Sequence, residues 1–421
     1  MFKTKALQWA AAFDTACYLD SNNFIDKYSK FDALIAVGVK DELIADAGCA
    51  FEKLEAFRKG NSGWSVGFFG YDLKNEIEDL TSDNTDHLHF PDLFFFVPRH
   101  LILIKSDEIE IISEAPMDVF ESIGRQILTN HAMDLNAGIK IASRLSKDEY
   151  LYTVEKIKAH IKQGDIYVTN FCQEFFAENA HINPLEVFSK LNKVSPNPFA
   201  AFLKWKQNYI ICASPERFLA KRGNQLISQP IKGTAKRGSD ETSDDILKKE
   251  LRNSRKEQQE NVMIVDLVRN DLTRSAKQGT VETTELFGIY TFEQVHQMVS
   301  TIVCELGPGT SEAQAIKNTF PMGSMTGAPK IKAMQLMEQF ERSKRGVYSG
   351  ALGYFSPDGD FDFNVVIRSV LYNQEAKYLS FQAGSAITYH ADAEKEYAEC
   401  LLKAKAILEV LGGSNAYCMK D

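Results

Sequence analysis

Short β-type runs separated by turns fill much of the chain after residue 166, and a few well-signalled helices interrupt them. The stretch 346–386 predicts three such strands, and Ser356-Pro-Asp-Gly359 has the composition of a turn between the first two. Links of this length join antiparallel neighbours, whereas parallel strands need crossovers of about a dozen residues or more. The pattern therefore predicts an α+β fold with mostly antiparallel sheets.

The helices carry start and stop signals of their own. Ser146 and Glu149 form a capping box, and Gly164 marks the end of that helix. Asp392 is a good N-cap for a last helix that stops at Gly412-Gly413. A polar helical pattern predicts one further long helix over residues 244–268.

Composition excludes several classes of function. The 421 residues are 44% hydrophobic and 25% charged, which is typical of a soluble globular protein. The net charge of −9 and the lack of a basic run argue against a nucleic-acid partner. The sequence contains no stretch of about 18 apolar residues, so we expect no membrane span. Seven scattered cysteines without a CxxC pair, and a start without a signal-peptide pattern, lead us to expect a cytoplasmic protein.

Two pairs of carboxylates stand three residues apart on predicted helices. Glu257 and Glu260 form one pair, and Glu396 and Glu399 form the other, with Lys403 on the same face as the second. Residues at this spacing share a helix face, so each pair can direct both carboxylates to one place. Oxygen ligands of this kind suit Mg²⁺. Such pairs are also common on solvated helix faces, and spacing alone does not separate the two interpretations.

Nine short segments follow one another in a distinctive order. They are GDIYVTN (164–170), SPERF (214–218), PIKGT (230–234), ENVMIVDLVRND (260–271), VHQMVST (295–301), GSMTGAPK (323–330), VIR (366–368), QAGS (382–385) and EYAE (396–399). In this order, the segments resemble the chorismate-binding enzyme family. The resemblance covers about the last two thirds of the chain and is loose in the first third.

The resemblance implies a fold and a cofactor. The fold would be a two-subdomain sandwich of mostly antiparallel sheets with helices outside, like that of anthranilate synthase component I. Residues 1–125 would form an N-terminal subdomain, and residues 146–415 the catalytic region. Glu260 and Glu399 would bind Mg²⁺ directly, with Glu257 and Glu396 acting through water.

Chorismate carries two carboxylates and a hydroxyl that must leave with a proton. By family position, Glu216 would be the general acid, kept protonated by burial and neighbouring carboxylates. The guanidinium of Arg368, on a strand with Ile367 and Ser369 facing the other way, suits the enolpyruvyl carboxylate.

The remaining candidates for substrate binding have weaker individual signals. Thr326 lies at an expected helix entry, and Gly384 could allow close approach of a ligand. His296 would lie near the reacting ring, although such a residue is often a hydrogen-bonded core histidine. The full set of these candidates is Tyr354, Thr326, Gly384, Ser385, Lys403 and His296.

The residue at position 232, here Lys232, distinguishes family members that catalyse different reactions. In the segment Pro-Ile-Lys-Gly-Thr, aminodeoxychorismate synthases carry Lys where anthranilate synthases carry Ala. A neutral lysine amine can attack the ring and form a covalent intermediate. The predicted reaction is amination of chorismate by ammonia to 4-amino-4-deoxychorismate, towards 4-aminobenzoate and folate. Val168 stands where relatives that use water carry a lysine base, which disfavours isochorismate and salicylate synthesis.

Two other functions stay open at this stage. The chain could be an anthranilate synthase component I, or a catalytically silent subunit that docks an amidotransferase. No cysteine stands in a Gly-x-Cys-x-Gly turn, so we expect a separate glutamine amidotransferase subunit to supply ammonia.

Overall fold

The computed structural model describes residues 1–128, 139–293, 295–412 and 417–418. The helices are α1 Phe2–Ala11, α2 Ala50–Gly60, α3 Lys74–Ile77, α4 Pro116–Gly124, α5 Lys147–Gln163, α6 Pro184–Val194, α7 Glu241–Asn253, α8 Arg255–Thr273, α9 Glu312–Thr319, α10 Lys330–Phe340 and α11 Ala393–Val410. The strands are β1 Thr15–Asp20, β2 Ala33–Ala45, β3 Ser65–Phe69, β4 Leu93–Lys105, β5 Glu108–Ile112, β6 Ile141–Ser143, β7 Val168–Ala177, β8 Phe199–Trp205, β9 Asn208–Ser214, β10 Arg217–Arg222, β11 Gln225–Gln229, β12 Ile231–Lys236, β13 Glu282–Thr291, β14 Val295–Glu305, β15 Gly327–Ala328, β16 Ala351–Phe355, β17 Phe361–Val365, β18 Ser369–Asn373, β19 Tyr378–Thr388 and β20 Tyr417–Cys418.

Two runs of antiparallel strands share the long β2–β4 ladder. One run continues from β2 through β1, β8, β9, β18 and β19 to β7. The other continues from β4 through β3, β16, β17, β10 and β11 to β14, which also pairs with β12 and β13. The predicted α+β sandwich of mostly antiparallel sheets is confirmed.

Side chains that alternate along the strands supply the two largest cores. Cys17 and Leu203 belong to the larger core, while their neighbours Tyr18 and Phe202 belong to a second core. This alternation is what a strand with both faces covered requires. The second core also takes residues from α1, α4, α6 and α11, which therefore cover the outer face of the first strand run. No helix within the described ranges is long and apolar enough to cross a membrane.

Strands from the first 125 residues are inserted among later ones. Cys17 in β1 pairs with Leu203 in β8, and Phe68 in β3 pairs with Leu352 in β16. The boundary predicted between 1–125 and 146–415 therefore does not separate two sheets. Residues 413–415 of the second range lie outside the described part of the chain.

The local helix signals are confirmed, with one difference. Ser146 and Glu149 make the predicted capping box, and the Asp392 side chain accepts a bond from the amide of Lys395. The single helix predicted over 244–268 is instead two helices, α7 and α8. Ser254 separates them because its hydroxyl caps α8, accepting a bond from the amide of Glu257.

Candidate active site

A cavity of about 710 Å³ opens between the ends of the two strand runs and helices α8 and α11. Strands β12 and β19 form part of its wall, and the two helices contribute their predicted carboxylate pairs. The cavity is therefore built from segments more than 150 residues apart in sequence. Nine of the predicted site residues line it: Glu216, Lys232, Glu257, Glu260, Arg368, Gly384, Glu396, Glu399 and Lys403.

Glu216 follows β9 and is only 4% exposed. Burial is the main cause that raises the pKa of its carboxyl, to about 7 from the ordinary value of 4.5. Ser324, the backbone of Ile231, Lys232 and Lys403 all act in the opposite direction, but burial outweighs them. A carboxyl with this pKa is protonated in about half of the molecules near neutral pH and can then donate its proton to a leaving group.

Lys232 lies at the start of β12, where a bulge interrupts the pairing with β14. Its Nζ is 3.8 Å from Oε2 of Glu260, and its side chain is largely buried. Gly233 follows with a φ of +102°, and a Cβ there would meet the Glu257 carboxylate at 3.1 Å. The glycine thus allows the lysine segment to lie close against α8.

The four carboxylates of α8 and α11 influence one another across the cavity. Burial, and then Glu260, raise the pKa of Glu257, while burial, and then Glu399, raise the pKa of Glu396. Burial also acts to raise the pKa of Glu399, but Lys403 and the nearby lysines outweigh it and lower that pKa to about 2. The two carboxylates of each pair therefore repel each other, and nearby cations reduce this repulsion.

The donor set of these carboxylates is compatible with Mg²⁺. Among the described residues, no three or more His, Cys, Asp or Glu side chains are close enough together to enclose a metal ion as they stand. Mg²⁺ keeps several waters and is usually held by one or two carboxylates, so it does not require a closed protein cage. Carboxylates that face one cavity from two helices fit this ion, and the mutual repulsion described above would be relieved by it.

Arg368 does not lie within a strand. It stands between β17 and β18 with a φ of +53°, in the left-handed region that few residues other than glycine adopt. Ile367 was expected to face away, yet it lines the same cavity as Arg368 because this backbone conformation ends the alternation of the strand. Burial lowers the pKa of the guanidinium. Non-glycine residues in this conformation are often found at functional sites.

Gly384 and Lys403 meet at the cavity wall. Lys403 donates a hydrogen bond of 2.8 Å to the carbonyl of Gly384 and one of 2.8 Å to Glu399. A Cβ at position 384 would meet Sγ of Cys172 at 2.6 Å on the neighbouring strand β7. Strand packing is therefore sufficient to require glycine here, in addition to any contact with a ligand.

Two predicted substrate contacts lie just behind the cavity wall. The Thr326 hydroxyl donates to the carbonyl of Met322 at 3.2 Å. The residue precedes β15, and α10 begins at Lys330, the end of the segment expected to form a helix entry. The Ser385 hydroxyl is 3.1 Å from that of Tyr150 and also acts to lower the pKa of Glu396. Neither side chain lines the cavity, and only Ser385 acts on a lining residue, Glu396.

Tyr354 and His296 do not line the candidate cavity, and their expected contacts with substrate stay predictions. Tyr354 lines a separate cavity of about 60 Å³ and packs against the ring of Trp64 at 5.5 Å. His296 is fully buried, with Nε2 2.8 Å from Oδ1 of Asp244 and Nδ1 3.1 Å from Oγ1 of Thr291. His296 is therefore the hydrogen-bonded core histidine that sequence reasoning had weighed as the alternative.

Several lining residues were not singled out from the sequence. Lys256 Nζ is 3.8 Å from Oε1 of Glu260, which lies four residues further along α8. Residues at this spacing share a helix face, so the sequence could have placed Lys256 beside the carboxylate pair. Gln382 belongs to a matched segment, so its position could have been marked as well. The same holds for Asn170, in the segment 164–170, whereas Tyr348 lies outside the matched segments and only the tertiary fold brings it to the cavity.

One cavity contains an acid with a raised pKa, a largely buried amine and facing carboxylates. An enzyme that acts on a small anionic molecule needs groups of this kind. The model of the chorismate binding enzyme family matches residues 9–409, nearly the whole chain. The protein belongs to this family. The match includes the first strands, where the sequence resemblance was loose.

Individual relatives are similar over most of this chain. The probable chloroplastic aminodeoxychorismate synthase of Oryza sativa subsp. japonica is 35% identical over 391 residues, covering 83% of this chain but 43% of that longer protein. Aminodeoxychorismate synthase component 1 of Bacillus subtilis (strain 168) is 31% identical, covering 83% of this chain and 77% of the relative. The crystal structure of anthranilate synthase component I from Streptococcus pneumoniae TIGR4 matches with a TM-score of 0.79 and 26% identity, over 91% of this chain and 93% of that one.

Proposed function

We propose that this protein aminates chorismate to 4-amino-4-deoxychorismate, on the way to 4-aminobenzoate and folate. The observation that carries the proposal is the amine of Lys232 in the same cavity as Glu216 and the four carboxylates, 3.8 Å from Glu260. An anthranilate synthase, which the Streptococcus pneumoniae structure represents, would need no nucleophile at this position. The similarity to named aminodeoxychorismate synthases supports the same choice.

Lys232 and Glu216 divide the proposed reaction into two displacements. The neutral amine of Lys232 forms a bond to C2 of the ring, both ring double bonds shift by one position, and the C4–O bond breaks as Glu216 protonates the hydroxyl, which leaves as water. Ammonia then forms the bond to C4, both double bonds shift back, and the C2–N bond breaks with its electron pair going to the lysine nitrogen. The proton lost by the new ammonium group returns to Glu216, so the enzyme ends in its starting state.

The other lining residues bind and orient the substrate in this proposal. The Arg368 guanidinium is suited to the enolpyruvyl carboxylate, and Lys403 adds a second cation on the α11 side of the cavity. When bound at Glu257, Glu260, Glu396 and Glu399, Mg²⁺ would polarise the ring carboxylate and offset developing negative charge. A separate glutamine amidotransferase subunit would supply the ammonia, as the name component 1 suggests for the Bacillus subtilis relative.

A single incubation tests the proposal. The purified chain is mixed with chorismate, Mg²⁺ and ammonium, with and without an added lyase that removes pyruvate from 4-amino-4-deoxychorismate, and the products are analysed by mass spectrometry. We expect an aminated product that retains its enolpyruvyl group and gives 4-aminobenzoate only with the lyase. Direct release of anthranilate would overturn the proposal in favour of the second function. Binding of chorismate without turnover would indicate the docking subunit.

A further inference from the structure

A buried Glu–Arg pair lies directly behind the cavity and outside its lining. Glu341 follows the end of α10, and Arg345 is four residues further along the chain. Arg345 donates from Nε and Nη2 to the two oxygens of Glu341, at 2.8 and 2.6 Å, and is only 2% exposed. The guanidinium also lies over the ring of Tyr71, 4.5 Å from its centroid.

Three further hydrogen bonds of this pair go to the backbone of two segments of the cavity wall. Arg345 donates from Nη1 to the carbonyl of Met325 at 2.8 Å and from Nη2 to the carbonyl of Asn170 at 3.0 Å. The Glu341 carboxylate accepts the amide of Cys172 at 3.0 Å. Asn170 and Met325 both line the cavity. One ion pair thus ties β7 to the turn that precedes β15.

A third wall segment depends on the same arginine. The Arg345 guanidinium donates from Nη1 to the hydroxyl of Ser349 at 3.3 Å, next to the lining residue Tyr348, whose backbone amide donates to the backbone carbonyl of Arg345 at 3.1 Å. Strand β7 in turn pairs with β19, where Cys172 lies opposite Gly384. The planar guanidinium of arginine donates to several fixed acceptors at once and therefore fixes their relative positions. The ammonium group of a lysine does not impose this geometry.

We propose that Glu341 and Arg345 are positioning residues that hold three walls of the chorismate cavity in register. This inference rests on the proposed function for the identity of the ligand. Because the pair acts through the wall and not on the reacting atoms, its loss should weaken substrate binding more than it slows the chemical step.

The chain provides a matched control in the pair Arg144 and Glu174. Arg144 donates from Nε to Oε2 of the buried Glu174 at 2.9 Å, its Nη2 lies 2.8 Å from the same oxygen, and its guanidinium lies over the Phe176 ring at 3.7 Å. Its third partner is the hydroxyl of Tyr378, at 2.6 Å, and neither member of the pair lines the cavity. Replacing either arginine with lysine keeps the charge and removes the fork.

We expect Arg345→Lys to raise KM for chorismate about tenfold with a much smaller change in kcat, because small displacements of binding groups have large effects. Arg144→Lys should lower the unfolding temperature and leave KM within about twofold of the parent. Equal KM values for the two variants would overturn the proposal. If Arg345→Lys does not fold, Glu341→Asp and its control Glu174→Asp provide the same comparison. Failure of the parent protein to bind chorismate would instead refute the proposed function.

Discussion

Replacement of Glu216 with glutamine should separate stability from activity. The variant keeps the shape of the side chain but cannot donate a proton from a carboxyl group. We expect kcat to fall by about 10² to 10⁴, the usual contribution of a general acid. The same change should stabilise the fold at alkaline pH, since the buried carboxylate is unfavourable there.

The size of the stability effect follows from the pKa of about 7 in the fold against an ordinary value of 4.5. Between these values the folded protein binds a proton at Glu216 that the unfolded chain has lost. Stability from this group is therefore present at acid pH and is lost as the pH rises through about 7. The full effect is about 3 kcal/mol, of which about 2 kcal/mol falls between about pH 5.5 and 8.5.

Urea unfolding of both proteins at pH 5.5 and 8.5 measures this effect, and other titrating groups cancel in the difference between them. The free energy of unfolding of Glu216→Gln, relative to the parent, should rise by about 2 kcal/mol from the lower to the higher pH. Glu121→Gln, at an exposed position on α4, is the control and should show no such change. A difference between Glu216→Gln and the parent that does not vary with pH would refute the argument that burial keeps this acid protonated.

Two further substitutions test the assignment of roles. Lys232→Ala should strongly reduce amination and abolish any covalent adduct seen by mass spectrometry of the intact protein, and an unchanged rate would remove the lysine from the mechanism. His296→Gln should lower the free energy of unfolding by about 1–3 kcal/mol, through its buried bonds to Asp244 and Thr291, with little effect on KM for chorismate. A KM that rises while stability stays unchanged would return His296 to the site.

The parts of the fold that the sequence predicted are those with local causes. Capping at Ser146 and Asp392 depends on groups within one helical turn, so three or four residues suffice to predict it. The pairing of Cys17 with Leu203 joins residues far apart in sequence, and no local pattern indicates it. The break at Ser254 was missed because a polar helical pattern continues on both sides of the capping serine.

Residues of the candidate site could be predicted where helical spacing or a matched segment indicated them. Glu257 and Glu260 share a face of α8 because of their spacing, and the cavity confirms that this face is turned inwards. Tyr354 lines another cavity, because the direction of a strand residue depends on pairing and not on composition. Arg368 lines the cavity, but its left-handed backbone could not be read from a run of alternating residues.

The charge balance of the cavity bears on the proposed Mg²⁺. Among the described residues, six carboxylates and six lysine or arginine side chains line the cavity. With Glu216 protonated and the Lys232 amine neutral, as the proposed reaction requires, five charges of each sign are left. Chorismate would bring two negative charges into this partly buried space. A dication offsets them, and without it the substrate carboxylates would face the α8 and α11 pairs directly.

This balance predicts that chorismate and Mg²⁺ bind cooperatively. Each should raise the affinity for the other by the same factor, on the order of tenfold, because the coupling free energy is shared. Calorimetric titration of Mg²⁺ in ammonium-free buffer, with and without chorismate, measures the factor directly. Glu260→Gln should reduce it, whereas Glu409→Gln, a lining residue outside the two carboxylate pairs, should retain it. If Mg²⁺ binds with the same affinity whether or not chorismate is present, the ion does not balance the substrate charge, and the four carboxylates need another explanation.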